Sequence, residues 1–228
     1  MSRIDIPEKF IKTELHCHTV WSADSSNKIP DLLREARRRG IQRLAITDHN
    51  TIGGALLAKQ IDPELVIVGQ EILTSAGELL AFYVKEEIPK RLSPLETIAR
   101  LKAQDAFITV PHVFDMRRHG WRMSALLEIL PHVDALEVFN ARCFSGKVNE
   151  RARQFAEDRQ LPGIAGSDAH SLVELGLAAT YLPVFNNAQE LRLAVSQARI
   201  EGQLLSVGQH LQVSLTIGLG RLRLRKRD

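Results

Sequence analysis

With 228 residues, 44% of them hydrophobic, the chain is long enough to bury the core of one large domain, which excludes disorder as its default state. Two cysteines, Cys17 and Cys143, exclude a disulfide framework and a thiolate zinc site; the N-terminus lacks an apolar signal region and no later segment runs about 18 apolar residues, so we expect a soluble, cytoplasmic protein in a reducing compartment, with no membrane association. The net charge of +3 belongs to the tail, because residues 221–228, RLRLRKRD, hold five of the 30 Lys and Arg and leave 25 basic against 26 acidic residues elsewhere; that tail is either a solvated terminus or a contact for nucleic acid.

In chain order, ELHCHT (14–19) closes a first apolar run, and IPDLLREARRRG (29–40) predicts a helix opening near Pro30 and ending at Gly40, with Leu32, Leu33 and Ala36 inward. RLAIT (43–47) predicts a buried strand, and Gly53-Gly54 beyond it the entry into a helix, since no Walker or GxGxxG pattern follows a strand. ELVIVG (64–69) predicts the next strand, and ILTSAGELLAFYV (72–84) a β-hairpin turning at Ser75-Ala76-Gly77. Helical stretches at 93–104, 122–130, 149–160 and 187–199 alternate with strands AFITV (106–110), DALEVF (134–139) and PGIAG (162–166), and QHLQVSLTIGLG (209–220) reads as a late strand. The alternation implies a largely parallel sheet, a barrel or an open doubly wound one, in a single domain over residues 1–208 with a C-terminal extension at 209–228.

Six apolar runs deliver histidine or carboxylate at their C-terminal ends: His16 and His18; Asp48 and His49; Glu71; His112; Glu137, Asn140 and Arg142; Asp168 and His170. In parallel α/β architectures that end is the face where ligands bind. Residues two apart on a strand share a face, so His16 and His18 can grip one ion, and the spacing recurs in Asp168 and His170. Imidazole nitrogen mixed with carboxylate oxygen suits zinc, manganese or iron. A lone HxH is ambiguous with core histidines, but so many buried ionisable groups at strand ends each need a partner, and a metal site supplies it. Cys17 lies between two ligands on the opposite face, and we expect it to fill the barrel wall.

Together the stretches HCHTVWSADS (16–25), AITDHNTIGG (45–54), VGQE (68–71), VPHVFDMRR (110–118), LEVFNAR (136–142) and AGSDAH (165–170) resemble the PHP (polymerase and histidinol phosphatase) superfamily of metal-dependent phosphoesterases. The resemblance implies a distorted (β/α)7 barrel with a metal site at the C-terminal ends of its strands, holding two or three divalent ions (zinc, manganese or iron). By position it implies that His16, His18, Glu71 and Asp168 hold one metal, that Glu71 bridges to a second shared with His112, and that Asp24, His49 and His170 serve a further one. Asp48 either orients the ligands from behind or faces the metals. Some members have histidine where Asp24 stands and another near EVFNAR, where Glu137 or Asn140 would have to substitute.

Clustered divalent ions suit hydrolysis of a phosphate ester of a small metabolite or nucleotide by a metal-bridging hydroxide. Arg142 and one of Arg117 or Arg118 lie just beyond strand ends, where a guanidinium binds phosphate oxygens; solvated loop arginines are the other reading. His170, His49 or His119 would protonate the leaving alkoxide, and Trp21 and Trp121 are either stacking surfaces or packing residues. Three alternatives stand beside this reading: a 5′→3′ exonuclease or oligonucleotide phosphatase, supported by the basic tail; a non-catalytic metal-binding module, opposed by the near-complete ligand set; and a hydrolase using similar metals on C–N bonds, as amidohydrolases do, which the arginines beside strand ends fit less well than phosphate.

Overall fold

The computed structural model describes residues 5–206, 208–210, 212 and 213, and up to Gly202 these form nine strands and six α-helices. The strands are β1 (Phe10–Glu14), β2 (Arg43–Ile46), β3 (Val66–Leu73), β4 (Glu78–Phe82), β5 (Phe107–Val110), β6 (Ala135–Asn140), β7 (Gly163–Gly166), β8 (Ala178–Pro183) and β9 (Arg199–Gly202). The helices are α1 (Ile29–Arg38), α2 (Gly53–Ile61), α3 (Pro94–Ala103), α4 (Met123–Ile129), α5 (Gly146–Glu157) and α6 (Ala188–Ala194). Local chemistry sets their ends. Pro30 stands in the first turn of α1, Arg37 and Arg38 in its last, and Gly40 follows at φ 69°. The Ser93 hydroxyl caps α3 by accepting from the Glu96 amide, and the Asn187 side chain caps α6 by accepting from Glu190.

The sheet order is β7-β6-β5-β4-β3-β2-β1-β8-β9. Pairs β1–β2, β2–β3, β5–β6 and β6–β7 are parallel, whereas β4 runs antiparallel to β3 and β5, and β8 to β1 and β9. The sheet curls into a nearly closed barrel. Beyond β1 and β7, Cys17 bridges Ala169 in parallel and the His18 amide donates to the Ala169 carbonyl at 2.9 Å. Lower down, the Thr180 hydroxyl of β8 accepts from Ala165 N and donates to Ala165 O. The seam between first and last barrel strands is thus tied at the end where the histidines emerge.

Period-two alternation then decides what fills the barrel. One inward face carries Ala45, Ile67, Phe82, Phe107, Ala135 and Ile164 at the floor, in one cluster that α6 helps to cover through Leu191 and Ala194. Two to four residues further along the same faces the side chains turn polar: Thr47, Glu71, Glu78, Thr109 and Glu137, all buried. Outward faces pack on helices, with Leu44, Ile46 and Val66 against Leu32, Leu33, Ala36, Ala55 and Ala58, and Leu79, Ile108 and Leu136 in the layer with Ile98 and Leu126. Among described residues no helix is long and apolar enough to cross a membrane.

The predicted (β/α)7 barrel is interrupted where the sequence placed its hairpin: β3 and β4 pair directly, with no helix between them. Two features differ from expectation. The helix predicted over 187–199 ends at Ala194, because Arg199–Gly202 instead pairs with β8 as an edge strand. The late strand expected at 209–220 is not formed by its described part, since residues 208–210, 212 and 213 are helical. Its remainder and the basic stretch 221–228 lie outside the described residues.

Two buried features hold β1 in place. Glu14, fully buried, accepts hydrogen bonds from Ser167 N at 2.9 Å, from the Ser167 hydroxyl and from Gly176 N at 3.1 Å, fastening β1 to the chain that follows β7; burial pushes its carboxyl up to about 7. Gly166 lets β7 approach His16, because a Cβ there would lie 2.4 Å from His16 Cβ and 2.7 Å from Glu137 Oε1. Gly166→Ala should therefore destabilise the fold by about 1–3 kcal/mol through overpacking, read as a lower urea midpoint at unchanged m-value.

Candidate metal centre

Glu71, near the end of β3 and 1% exposed, sits between four imidazoles. Its Oε1 lies 3.3 Å from His16 Nε2 and 3.1 Å from His112 Nε2; its Oε2 lies 3.4 Å from His18 Nε2 and 2.8 Å from His49 Nδ1. Asp168, just past β7 with φ 54°, turns its Oδ1 to 3.5 Å from His16 Nε2 and 3.3 Å from His18 Nε2. Asp24 spans the mouth, 3.4 Å from His49 Nε2 and 3.3 Å from His170 Nε2. All eight residues predicted as metal ligands, His16, His18, Asp24, His49, Glu71, His112, Asp168 and His170, are thereby brought together.

The histidines are held from behind. His16 Nδ1 donates to Glu137 Oε1 at 2.9 Å, and Glu137 Oε2 accepts from His112 N at 2.7 Å and from Asn140 Nδ2 at 3.0 Å. His18 Nδ1 faces the Ser22 hydroxyl at 3.1 Å, and that hydroxyl donates to Asp48 Oδ1 at 2.6 Å. Asp48 also accepts from Thr19 N and Thr19 Oγ1 at 2.7 and 2.6 Å, so its oxygens are spent on the loop after β1. Glu137 and Asp48 therefore back the ring nitrogens rather than enter the open cluster. Fixing Nδ1 presents Nε2 as the free nitrogen, the arrangement by which carboxylates orient metal-bound histidines.

Three tests of fit favour a cation here. His16 Nε2, His18 Nε2 and Asp24 Oδ1 are buried without a hydrogen-bond partner, which is costly unless something else engages them. The donor atoms converge, with His16, His18 and Asp168, then His18, His49 and His170, then His49, Glu71 and Glu78 each within 4.8 Å of one another. The charges also call for one. Burial opposes a proton on His16, yet Asp168, Glu137 and Glu71 overcome it and hold the pKa well above the ordinary value, so positive charge at that ring is stabilised. Burial, His170 and His49 push His18 well below the ordinary value, leaving its lone pair available. Burial alone would raise Glu71, but His16 and His49 reverse this and keep it a carboxylate. Mixed N/O donors match zinc, manganese or iron.

Sequence reasoning missed Glu78, which lies 3.6 Å from His112 Nε2 and 3.4 Å from His119 Nδ1. Burial and the neighbouring Glu71 raise its carboxyl to about 9, and a shared cation would relieve that repulsion. The rule that site residues stand at C-terminal strand ends holds for parallel strands. Because β4 is antiparallel, its N-terminal residue reaches the same mouth, and the hairpin predicted at 72–84 was the available signal.

A cavity of about 290 Å³ opens over the cluster, lined by Asp24, His49, Glu78, His119 and the arginines Arg117, Arg118 and Arg142. Arg118 is spent within the protein: Nε on Asp115 at 3.1 Å, NH1 on Asp168, and NH2 on Asn140 Oδ1 at 3.1 Å and Cys143 Sγ at 3.3 Å. Arg117 is exposed on the rim, 5.3 Å from the Phe144 ring. The two tryptophans separate. Trp121, 2% exposed, donates from Nε1 to the Glu78 carbonyl at 2.9 Å and packs on Gly77, a packing role. Trp21, 51% exposed, lies against Gly53 and Gly54. Cys17 is fully buried in the layer of α1 and α2, and burial holds its thiol well above the ordinary value; it is an apolar filler.

Sequence comparison finds a match to the PHP domain over residues 14–97 and to the PHP-associated region over residues 146–200. The chain is similar to the uncharacterized protein MJ1587 of Methanocaldococcus jannaschii, 36% identical over 157 residues, covering 62% of this chain and 89% of that one. A shorter stretch of 40 residues is 38% identical to a protein named probable phosphatase from Caldicellulosiruptor bescii, covering 18% of this chain and 17% of that one. In fold it resembles PsfC from Pseudomonas syringae PB-5123, with a TM-score of 0.67 at 15% identity, covering 95% of this chain and 99% of that one. Replacing the backing groups, as Glu137→Gln or Ser22→Ala, should weaken divalent-metal affinity about 10–100-fold, measured by competition with a chromogenic chelator, whereas Cys17→Ser should leave it unchanged.

Proposed function

The chain belongs to the PHP family of metal-dependent hydrolases, and from that premise we propose that it hydrolyses the phosphate ester of a small metabolite or nucleotide. The observation that carries this reading is the convergence of the unpartnered His16 and His18 Nε2 atoms with Glu71 and Asp168 oxygens beneath a cavity lined by arginines. The likeness of a short stretch to a protein named as a phosphatase supports it. In this reading His16, His18, Glu71 and Asp168 would hold one divalent ion, Glu71, Glu78 and His112 a second, and Asp24, His49 and His170 a third where three are bound. Such ions lower the pKa of water to near neutrality and neutralise charge spreading over the phosphoryl oxygens.

The chain's own residues do the rest. Glu137 and the Ser22–Asp48 pair fix His16 and His18, so the donor nitrogens need no rearrangement when substrate arrives. Arg142, with Arg117 on the rim, binds the non-bridging oxygens of the phosphate, while Arg118 holds Asp168 in place. With two ions bound and the third position free, His49 or His170, beside Asp24 at the mouth, hands a proton to the leaving alkoxide. In this reading the phosphoryl group sits in the cavity over the cluster, with the attached alcohol directed toward the rim. The exonuclease reading drew on residues 221–228, which lie outside the described residues, and no observation at the site favours it over a small ester.

Metal-loaded protein should hydrolyse an aryl phosphate, lose that activity under exhaustive chelation and regain it on addition of manganese. His18→Ala and Asp168→Ala should each lower kcat/KM by roughly a thousandfold or more. Native protein that carries no zinc, manganese or iron by elemental analysis and releases no phosphate from nucleotides, sugar phosphates or short oligonucleotides would overturn the proposal.

A further inference from the structure

Glu174 is a fully buried carboxylate, in the turn between β7 and β8, that belongs to none of the donor groups around the metal centre. A buried charge of this kind is expensive unless it is used. Its two oxygens do different things. Oε2 accepts from His170 N and from the Ser171 hydroxyl, both at 2.9 Å, which fastens the loop carrying His170. Oε1 forms no hydrogen bond and faces Arg142 Nε at 3.1 Å, an ion pair at the inner edge of the guanidinium.

The outer edge of that guanidinium reaches the cavity. Arg142 NH1 lies 2.6 Å from His170 Nδ1 and 3.9 Å from Asp168 Oδ1. The His170 contact is not exclusive, because the Asp168 carbonyl stands 2.8 Å from the same nitrogen. When that ring nitrogen donates to the carbonyl, NH1 is released from it. Arg118 has no such freedom, with each nitrogen of its fork already on a protein acceptor. Of these two buried-edge arginines, Arg142 is the one that can present a free fork to an anion.

Resting on the phosphoesterase reading above, we propose that Glu174 is the positioning residue for substrate phosphate: it anchors Arg142 by Nε so that the guanidinium meets the phosphoryl oxygens side-on. A guanidinium held at one edge gives up less freedom on binding than a solvated one, and its planar fork matches a phosphate face. The residue touches no reacting atom and acts through Arg142.

Glu174→Gln separates this role from loop support. The amide oxygen can keep the His170 and Ser171 hydrogen bonds, while the amide NH2 takes the place of the charged oxygen and leaves the cationic edge of Arg142 without its anion. With manganese-loaded protein, calorimetry should show inorganic phosphate bound about tenfold or more weakly by E174Q, with KM for an aryl phosphate raised in step, kcat little changed, and melting temperature and metal content close to wild type. R142A should lose at least as much, and the E174Q/R142A double variant no more than R142A, because the two act as one unit. R142K, whose ammonium can satisfy Glu174 or phosphate but not both, guards against a folding defect in E174Q and should lose affinity to a similar degree.

Unchanged phosphate affinity in E174Q or R142K overturns the inference. So does a double variant whose loss is the product of the single losses. Wild type that binds phosphate through this pair but hydrolyses no ester sinks the phosphoesterase reading and leaves the positioning role standing. Wild type that binds no phosphate at all overturns both.

Discussion

Everything at the mouth of the barrel is arranged around the carboxylate of Glu71, whose two oxygens each face two imidazoles within 3.4 Å. A group so buried is tolerable only as part of a charge-balanced cluster, and the neighbouring acids, Asp168, Glu137, Glu78 and Asp24, make that cluster rich in negative charge. The natural complement is a cation at the imidazole nitrogens. This requirement explains why the histidines and the acids around Glu71 gather at one end of the barrel while the floor carries an apolar cluster, with Phe82 and Phe107 stacked at 5.7 Å.

The second constraint is orientation. A histidine ring can present either nitrogen, and what selects Nε2 in His16 and His18 is the partner on Nδ1, a carboxylate in one case and a serine hydroxyl backed by Asp48 in the other. Glu137 comes from β6, and Ser22, in the loop after β1, is itself held by Asp48 from the chain beyond β2, so distant parts of the sequence are bound to the same two rings. Stability and site geometry are coupled as a result: Gly166 has no side chain because the His16–Glu137 pair occupies the space, and Glu14 ties β1 to the loop that carries Asp168.

The arginines show the same economy at the rim. One is consumed in steadying Asp168, one is held at a single edge by Glu174, and one is exposed over Phe144. Three similar side chains thus have three different capacities for an anion, set by how many of their donors the protein already uses.

The sequence by itself determined the β/α alternation, the interrupting hairpin, and the histidine and carboxylate pairs at strand ends. These depend on local periodicity and on the two-residue spacing of a strand, which are properties of the chain alone. Only the tertiary structure decided that Asp48 and Glu137 stand behind the histidines instead of among them, that Glu78 reaches the mouth from an antiparallel strand, that Arg118 has its donors on protein acceptors, and that Glu174 lies against Arg142. Each of those facts is a direction in space between residues separated by several elements, and barrel closure and strand sense, which fix such directions, leave no local signature around the residue concerned.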